Sequence, residues 1–504
     1  MKSISFFIKQ NTKTILLCWV IGLSIAYSTL SIVRHNHFQS GGFDLGLYDQ
    51  AVWQYANFQW PYNTIKDRFI LGDHLTLTLP LLAPLFWLWD DVRMLLIFQA
   101  FWISFSALAI YKIARIRFGD SKLDPRVKPE DDKKSSIIAL CLAVIYSLFY
   151  GIQYLVYFDF HPVVIGVGLL VWIAYFLESG KIKWLIISII LLLLTQENMG
   201  IALASLGFIY FFHKKFRLMA IAFIIGGVGF SLLASKVVAS FSPTGFQYWP
   251  QISPNPVIIL QQFFDSEEKR QVWWYTFASF AFLPILAPGA ILAIFFDLAQ
   301  YFVTGPEFSR MWSPFMHHRA TLGVFLTLGA LDALVFLKRW RIAPQRAGVM
   351  LLAVALILQY VWHLPLNKLT KAEYWKEEAW MSDNRKLIAL VPSGAAIATQ
   401  QNLIPHLSHR NQIYLVWPRV HDFDPSTPLG TTCGHAGCWW LDFDNRATFL
   451  VVDTRPDQWL TQILESNDHW NEAIGNMEKS GRIMLEHSVG GARLYKTNPE
   501  YIIK

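Results

Sequence analysis

Long apolar runs separated by short polar or charged stretches dominate the first 363 residues, and polar residues interleaved with short apolar runs dominate the rest. A helix needs about 20 predominantly apolar residues to cross the hydrocarbon core of a bilayer. Runs near that length predict spans at roughly 14–33, 92–114, 136–153, 161–178, 182–196, 199–213, 217–236, 272–286, 289–303, 319–337 and 347–363, eleven in all. The stretch 75–89, "LTLTLPLLAPLFWLW", is short and broken by two prolines, so it is expected to dip into the interface. "LAPG" splits the pair at 272–303, which could instead form a re-entrant hairpin. The opening segment has the basic flank and apolar run of a signal sequence, but no convincing small-x-small cleavage site, so it reads as a retained first span.

Lys and Arg orient these spans. With the N-terminus cytoplasmic, the inside loops 112–135, 179–183, 213–217 and 338–346 hold 17 Lys and Arg, against 6 in the outside loops 34–74, 154–160, 237–271 and 304–318. An odd span number then puts the C-terminus outside. The loop "GDSKLDPRVKPEDDKKSS" reads as a solvated linker. The expected organisation is an α-helical polytopic membrane domain, 1–363, with a large first outside loop at 34–91, followed by an extracytoplasmic α/β domain, 364–504. In the latter, "KLIALVPSGAAIATQ", "QIYLVW" and "ATFLVVDTRP" read as strands, "WLTQILESNDHWNEAIGNMEKSG" as a helix and "RIMLEHSVGGARLYKT" as a closing hairpin.

Composition agrees. Hydrophobic residues make up 54% and charged residues 16%, too little polar surface to solvate a soluble fold of this size. The net charge of +7 comes from residues between apolar runs, so it is read as topological and not as a nucleic-acid surface. Cys18 and Cys141 fall in apolar runs. Cys433 and Cys438, in "TTCGHAGCWW", suit a short disulfide loop on an oxidising side, with a metal site including His435 as the alternative.

On this topology acids and histidines collect on the outer face: Asp44, Asp49, Asp73, His74, Asp159, His161, Glu197, His317 and His318. Ionisable groups at membrane depth are costly enough to be functional suspects. Asp44 follows Gly41-Gly42 and could equally be a helix N-cap. Asp49 lies five residues on, about 140° round a helix, so the two carboxylates do not share a face. "GDH" at 72–74 and "DFHP" at 159–162 could be plain turns, yet Asp159 and His161, spaced D-x-H, can offer two ligands to one divalent ion. Glu197 sits against an unbroken Leu/Ile run, where partnered burial is the structural alternative. His317-His318-Arg319 could bind an anionic lipid headgroup or simply snorkel.

"GGFDLGLYDQAVW", "LGDHLTLTLPLLAPLFWL", "FDFHP", the "QEN" after an apolar run, and "PSGAAIATQQNLIPHLSHRNQIYLV" resemble, in this order, a family of bacterial and archaeal predicted membrane proteins catalogued as a domain of unknown function. That family is similar in layout to the C-type membrane glycosyltransferases, which include protein O-mannosyltransferases and the aminoarabinose lipid A transferase. The resemblance implies a plasma-membrane enzyme that moves a sugar from a polyprenyl-phosphate donor to an acceptor on the outer face. It implies an essential acid in the first outside loop, matching Asp44 with Asp49 second, and Glu197 as support. It further implies a divalent metal (Mg2+ or Mn2+) in some members, here at Asp159 and His161, which departs from the usual pair of carboxylates. His74, His317, His318 and Arg319 would contact the donor phosphate. The rival classes are a lipid or solute transporter and a non-catalytic scaffold. Polar groups gathered on one face, with no internal repeat, argue against transport.

Overall fold

The computed structural model describes residues 2–119, 128–250, 252–341, 343–421, 438–455, 458 and 465–498. They are mostly helical. Among them, five helices are long and apolar enough to cross a membrane: Asn11–Asn36, Arg93–Phe118, Lys214–Phe241, His317–Arg339 and Pro344–Val361. The bent pair Lys134–Ser147 and Tyr150–Phe158 makes a sixth if it is one span. The remaining apolar runs form the shorter helices Val163–Ser179, Ile182–Leu193, Met199–Phe211, Glu267–Ala278 and Pro288–Phe302. The proline-broken stretch forms a 3-10 turn, Leu79–Leu82, and a short helix, Ala83–Leu88.

The run at 136–153 was expected to continue as one helix. It breaks at Leu148 and Phe149 and bends by 43°. The break frees a carbonyl, which cannot stay unpaired among apolar side chains. Gln153 supplies the donor, its Nε2 reaching Leu148 O at 2.7 Å. The oxygen of the same amide accepts from Gln359 Nε2 at 3.1 Å and from Leu366 N at 3.1 Å. Beyond the bend, Gly151 backs onto the turn His317–Arg319. A Cβ there would lie 2.5 Å from the Arg319 carbonyl oxygen, so the approach needs glycine. The charged loop differs from its reading as well. From Pro129 onward it is the first part of helix Pro129–Ser147, tied by an Arg115–Asp132 ion pair, while 120–127 lie outside the described residues.

The chain divides into two compact units that are not contiguous in sequence. The first comprises Met1–Ser31, Leu71–Thr78 and Leu96–Lys371, the second Ile32–Ile70, Leu79–Leu95 and Ala372–Lys504. Most of the segment 34–91 therefore belongs with the C-terminal region.

Among the described residues the second unit holds nine strands: β1 (Tyr62–Asn63), β2 (Arg68–Phe69), β3 (Ile397–Thr399), β4 (Ile413–Leu415), β5 (Trp417–His421), β6 (Cys438–Asp442), β7 (Phe449–Asp453), β8 (Ile483–Val489) and β9 (Ala492–Thr497). A five-stranded sheet runs β4-β3-β7-β9-β8, parallel from β4 to β7 and antiparallel from β7 to β8. Helix Asn467–Lys479 buries Trp470, Ala473, Ile474 and Met477 in one core with Leu450, Val452 and Tyr495. Strands after residue 396, the helix and the closing hairpin follow the sequence pattern. "KLIAL" does not. It ends or follows helix Ala379–Ile388, whose buried Trp380, Met381, Asn384 and Leu387 keep helical spacing.

Candidate functional site

Residues Leu71–Thr78 contribute a turn to the first unit, and this turn meets the break between helices Ile182–Leu193 and Met199–Phe211. His74 Nδ1 lies 2.7 Å from Glu197 Oε1, and Leu75 N–H donates to Glu197 Oε2 at 3.0 Å. Gln196 Nε2 stands at 3.2 Å from the same His74 nitrogen, but the carboxylate is closer and accepts the hydrogen bond of the Nδ1–H tautomer. Behind the carboxylate, Ser231 Oγ donates to the Glu197 carbonyl at 2.6 Å. Glu197 is thus a partnered buried acid whose partner comes from 123 residues away.

Three further histidines continue from this pair. Rings of His74 and His161 are 6.0 Å apart, those of His161 and His317 stack at 4.2 Å, and those of His317 and His318 meet at 3.9 Å. Tyr248 stacks on His74 at one end, and Tyr301 on His318 at the other. Asp159 and His161, on the turn after helix Tyr150–Phe158, are both buried. His161 Nδ1 accepts from its own turn, Val163 N–H, at 3.4 Å.

Arg319 closes the cluster and is fully buried. Its Nε donates to Ser313 O at 3.3 Å, its Nη2 to Met311 O, and the guanidinium lies over the rings of Tyr301 and Phe302. No carboxylate among the described residues stands at ion-pair distance from it, and Nη1 has no partner. Both ring nitrogens of His317 and Nδ1 of His318 are also buried without partners. Asp297 acts on this cation from beyond ion-pair distance; a buried cation without a direct ion pair is costly, and so is each buried N–H without an acceptor, by about 1–3 kcal/mol. An anionic group placed here could accept from Arg319 Nη1 and from the single N–H of a neutral imidazole.

Sequence reasoning missed two residues in this unit. Asp297, fully buried in helix Pro288–Phe302, accepts from Thr321 Oγ1 at 2.8 Å and from Gln300 Nε2 at 3.3 Å. Its signal was plain, an acid inside "AIFFDLAQYF". Lys269, also buried, donates to Gln262 O and Phe302 O, pairs with Asp265 and lies 3.9 Å from the Trp312 ring centroid. It fixes the segment that carries Met311 and Ser313.

Among the described residues no three His, Cys, Asp or Glu side chains converge as a metal site. Asp159 and His161 by themselves supply two potential ligands.

The remaining acids belong to the second unit. Asp44 is half-buried within a π-helical turn, Gly42–Gly46, whose cap is Gly41, so it is not the N-cap. Asp49 is fully buried; Ser408 Oγ donates to it, and His409 Nε2 lies 3.1 Å away. The other nitrogen of His409 lies 2.8 Å from Asp90. Burial disfavours the imidazolium, but Asp49 and Asp90 outweigh it and hold His409 above its ordinary value. Asp49 therefore anchors helix Leu47–Ala56 to 408–409. Cys438 is disulfide-bonded while Cys18 and Cys141 are free; Cys433 and His435 lie outside the described residues.

A family model describing a predicted membrane protein (DUF2079) matches residues 34–425. No curated protein matches the chain.

Proposed function

We propose, for a chain that belongs to the predicted membrane protein family DUF2079, that the buried Arg319 cluster receives the phosphate of a lipid-linked sugar and that the protein is a membrane glycosyltransferase. The observation that carries the reading is the buried guanidinium of Arg319, with no carboxylate at ion-pair distance among the described residues and Asp297 as a more distant negative charge, beside the unpartnered nitrogens of His317 and His318. Such a group is stable once an anion completes it, and a phosphate supplies the acceptors that three N–H donors need.

In the reaction, the bond between the sugar's anomeric carbon and the phosphate oxygen breaks. A bond from that carbon to an acceptor hydroxyl oxygen forms, and the hydroxyl proton passes to a carboxylate. Arg319 neutralises the leaving phosphate, and His317 and His318 donate hydrogen bonds to it. Glu197 keeps His74 oriented at the opposite end of the imidazole row. The resemblance to C-type transferases names Asp44 as the essential acid; Asp49, already bonded to Ser408 and His409, serves structure. The eleven-span reading, with the N-terminus cytoplasmic, places this chemistry on the outer face of the plasma membrane. The disulfide at Cys438 supports an oxidising location for the C-terminal region.

The test is release of free polyprenyl phosphate from labelled lipid-linked sugars in membranes, comparing wild type with Arg319→Gln and Asp44→Asn at matched expression. Loss in both variants supports transfer with these roles. Full turnover in Arg319→Gln removes the phosphate assignment. No turnover by wild type across a broad donor and acceptor panel removes the enzyme and favours a carrier of anionic lipid.

A further inference from the structure

The second unit contains a cavity of about 340 Å3 that the reading above does not use. Its charged lining comes from three stretches of that unit: Asp90, Asp91 and Arg93, then Arg385, then His409 and Arg410. The volume falls at the small end of ligand sites, which run from about 300 to 1,000 Å3.

All of these groups but one have a partner of opposite charge. Arg93 grips Asp91 with Nε and Nη2, Arg385 holds Glu377, and His409 bridges Asp90 and the buried Asp49. Arg410 is the exception. Only 8% of it is exposed. Its Nε donates to Leu407 O at 2.6 Å and its Nη1 to Ala395 O at 3.0 Å, and no carboxylate among the described residues stands at ion-pair distance. Burial, with no carboxylate acting against it, pulls the guanidinium down to about 10. Its Nη2 has no acceptor among the described residues, yet it is not sealed inside the protein as Nδ1 of His35 and Nε2 of His406 are. Arg410 lines the cavity, so this amino group opens on it.

A buried guanidinium held only by carbonyls keeps a charge that an anion on its remaining N–H groups would offset. A neutral molecule would leave that charge standing, and a cation would add to it. The acids set the upper limit. Asp91 is bound by Arg93 and Asp90 is largely exposed, but both stand in the same wall. A second negative charge on the ligand would meet these carboxylates and no further free cation. One free positive charge therefore calls for one negative charge, spread over two oxygens that a guanidinium edge can engage.

We propose that this cavity binds a small organic monoanion, a carboxylate or a phosphodiester, with Arg410 as its anchor. The proposal does not rest on the transfer reading, whose phosphate is held by Arg319 in the first unit.

The experiment is saturation-transfer NMR on the full chain in a non-ionic detergent free of phospholipid. Probes are glucuronate and dimethyl phosphate, with glucose and ethylammonium as controls and sulfate as a dianionic competitor. Binding is measured in wild type and in Arg319→Gln, so that an anion held at that cluster is told apart. One or both monoanions should bind in each background, and the one that binds more tightly names the chemistry of the natural group. Glucose and ethylammonium should give no signal, and sulfate should displace the probe only in large excess. Arg410→Gln should weaken binding by roughly 30-fold or more. Asp90→Asn, at an exposed position, removes a negative charge from the wall and should tighten it, which keeps the test decisive if Arg410→Gln fails to fold. Silence from both monoanions, a signal lost in Arg319→Gln, glucose or sulfate binding as well as they do, or affinity untouched by Arg410→Gln or by Asp90→Asn overturns the proposal.

Discussion

Replacing Arg319 by Met separates a ligand-seeking cation from a structural one. The guanidinium is fully buried, makes hydrogen bonds only to the carbonyls of Ser313 and Met311, and faces no carboxylate at ion-pair distance among the described residues. Methionine would lose those two bonds, worth about 1 kcal/mol each, and the contacts over Tyr301 and Phe302, worth about 0.5–2 kcal/mol together. Against that, it would remove a buried charge that lacks a direct ion pair, though Asp297 acts on it from a distance, and whose desolvation costs several kcal/mol. The two sides are of similar size, so the ligand-free protein should melt within a few degrees of wild type. Binding tells the difference. Truncating one partner of a buried charge pair costs about 2–5 kcal/mol, or roughly 30- to 4,000-fold in affinity. The assay is the melting temperature of purified protein with increasing farnesyl phosphate. Wild type should rise in step with occupancy, by the equivalent of about 2.7 kcal/mol at 100 times Kd, and Arg319→Met should stay flat. A variant that melts far below wild type while keeping the full ligand shift would refute the reasoning, because Arg319 would then be a structural cation.

Three further outcomes follow from the same geometry. Glu197→Ala leaves His74 and the Leu75 N–H without their acceptor, so the melting temperature should fall by several degrees; Glu197→Gln, which keeps an acceptor oxygen, should fall by less than half as much, read by scanning fluorimetry. Gly151→Ala pushes a methyl against the Arg319 carbonyl and should abolish the farnesyl phosphate response or the folded yield, whereas Gly226→Ala, with nothing within 4 Å of its Cβ, should leave both intact. His409 is held above its ordinary value, so its contribution to stability is complete below the unfolded value near 6.5 and is lost as pH rises through the folded one. Melting of the full chain from pH 6 to 9 should therefore fall more steeply for wild type than for His409→Gln; parallel profiles would count against the Asp49–His409–Asp90 bridge.

Apolar run length was enough to place the helices, because burial in lipid or in a helix bundle needs only unbroken hydrophobicity. It could not show the bend at Leu148, since the polar residue that satisfies the freed carbonyl, Gln153, is itself met by Gln359 from 206 residues away. Glu197, His161 and the 317–319 run stood out as polar groups in apolar surroundings. Their meeting with His74 is a tertiary fact with no local signature. Asp297 has a local signature, an acid inside an apolar helix, whereas its partner Thr321 comes from another helix 24 residues on. Asp49 looked like a free acid because Ser408 and His409, which occupy it, lie some 360 positions later. The helix Ala379–Ile388 was half missed because its periodicity begins before the apolar "KLIALV" that suggested a strand.

The second unit's split ancestry sets an order of events during synthesis. Residues 32–70 and 79–95 are made about 280 residues before Ala372, the first of their C-terminal partners. At about 5–20 residues per second, that interval lasts roughly 15–60 s. Throughout it Asp49 has neither Ser408 nor His409, Thr64 lacks the Ile413 backbone it binds, and Gly42 N–H lacks the Gln401 carbonyl. The early loop must wait, hydrated and open to proteases and holdases, until the last quarter of the chain arrives. Any truncation before residue 414 should leave it a permanent orphan.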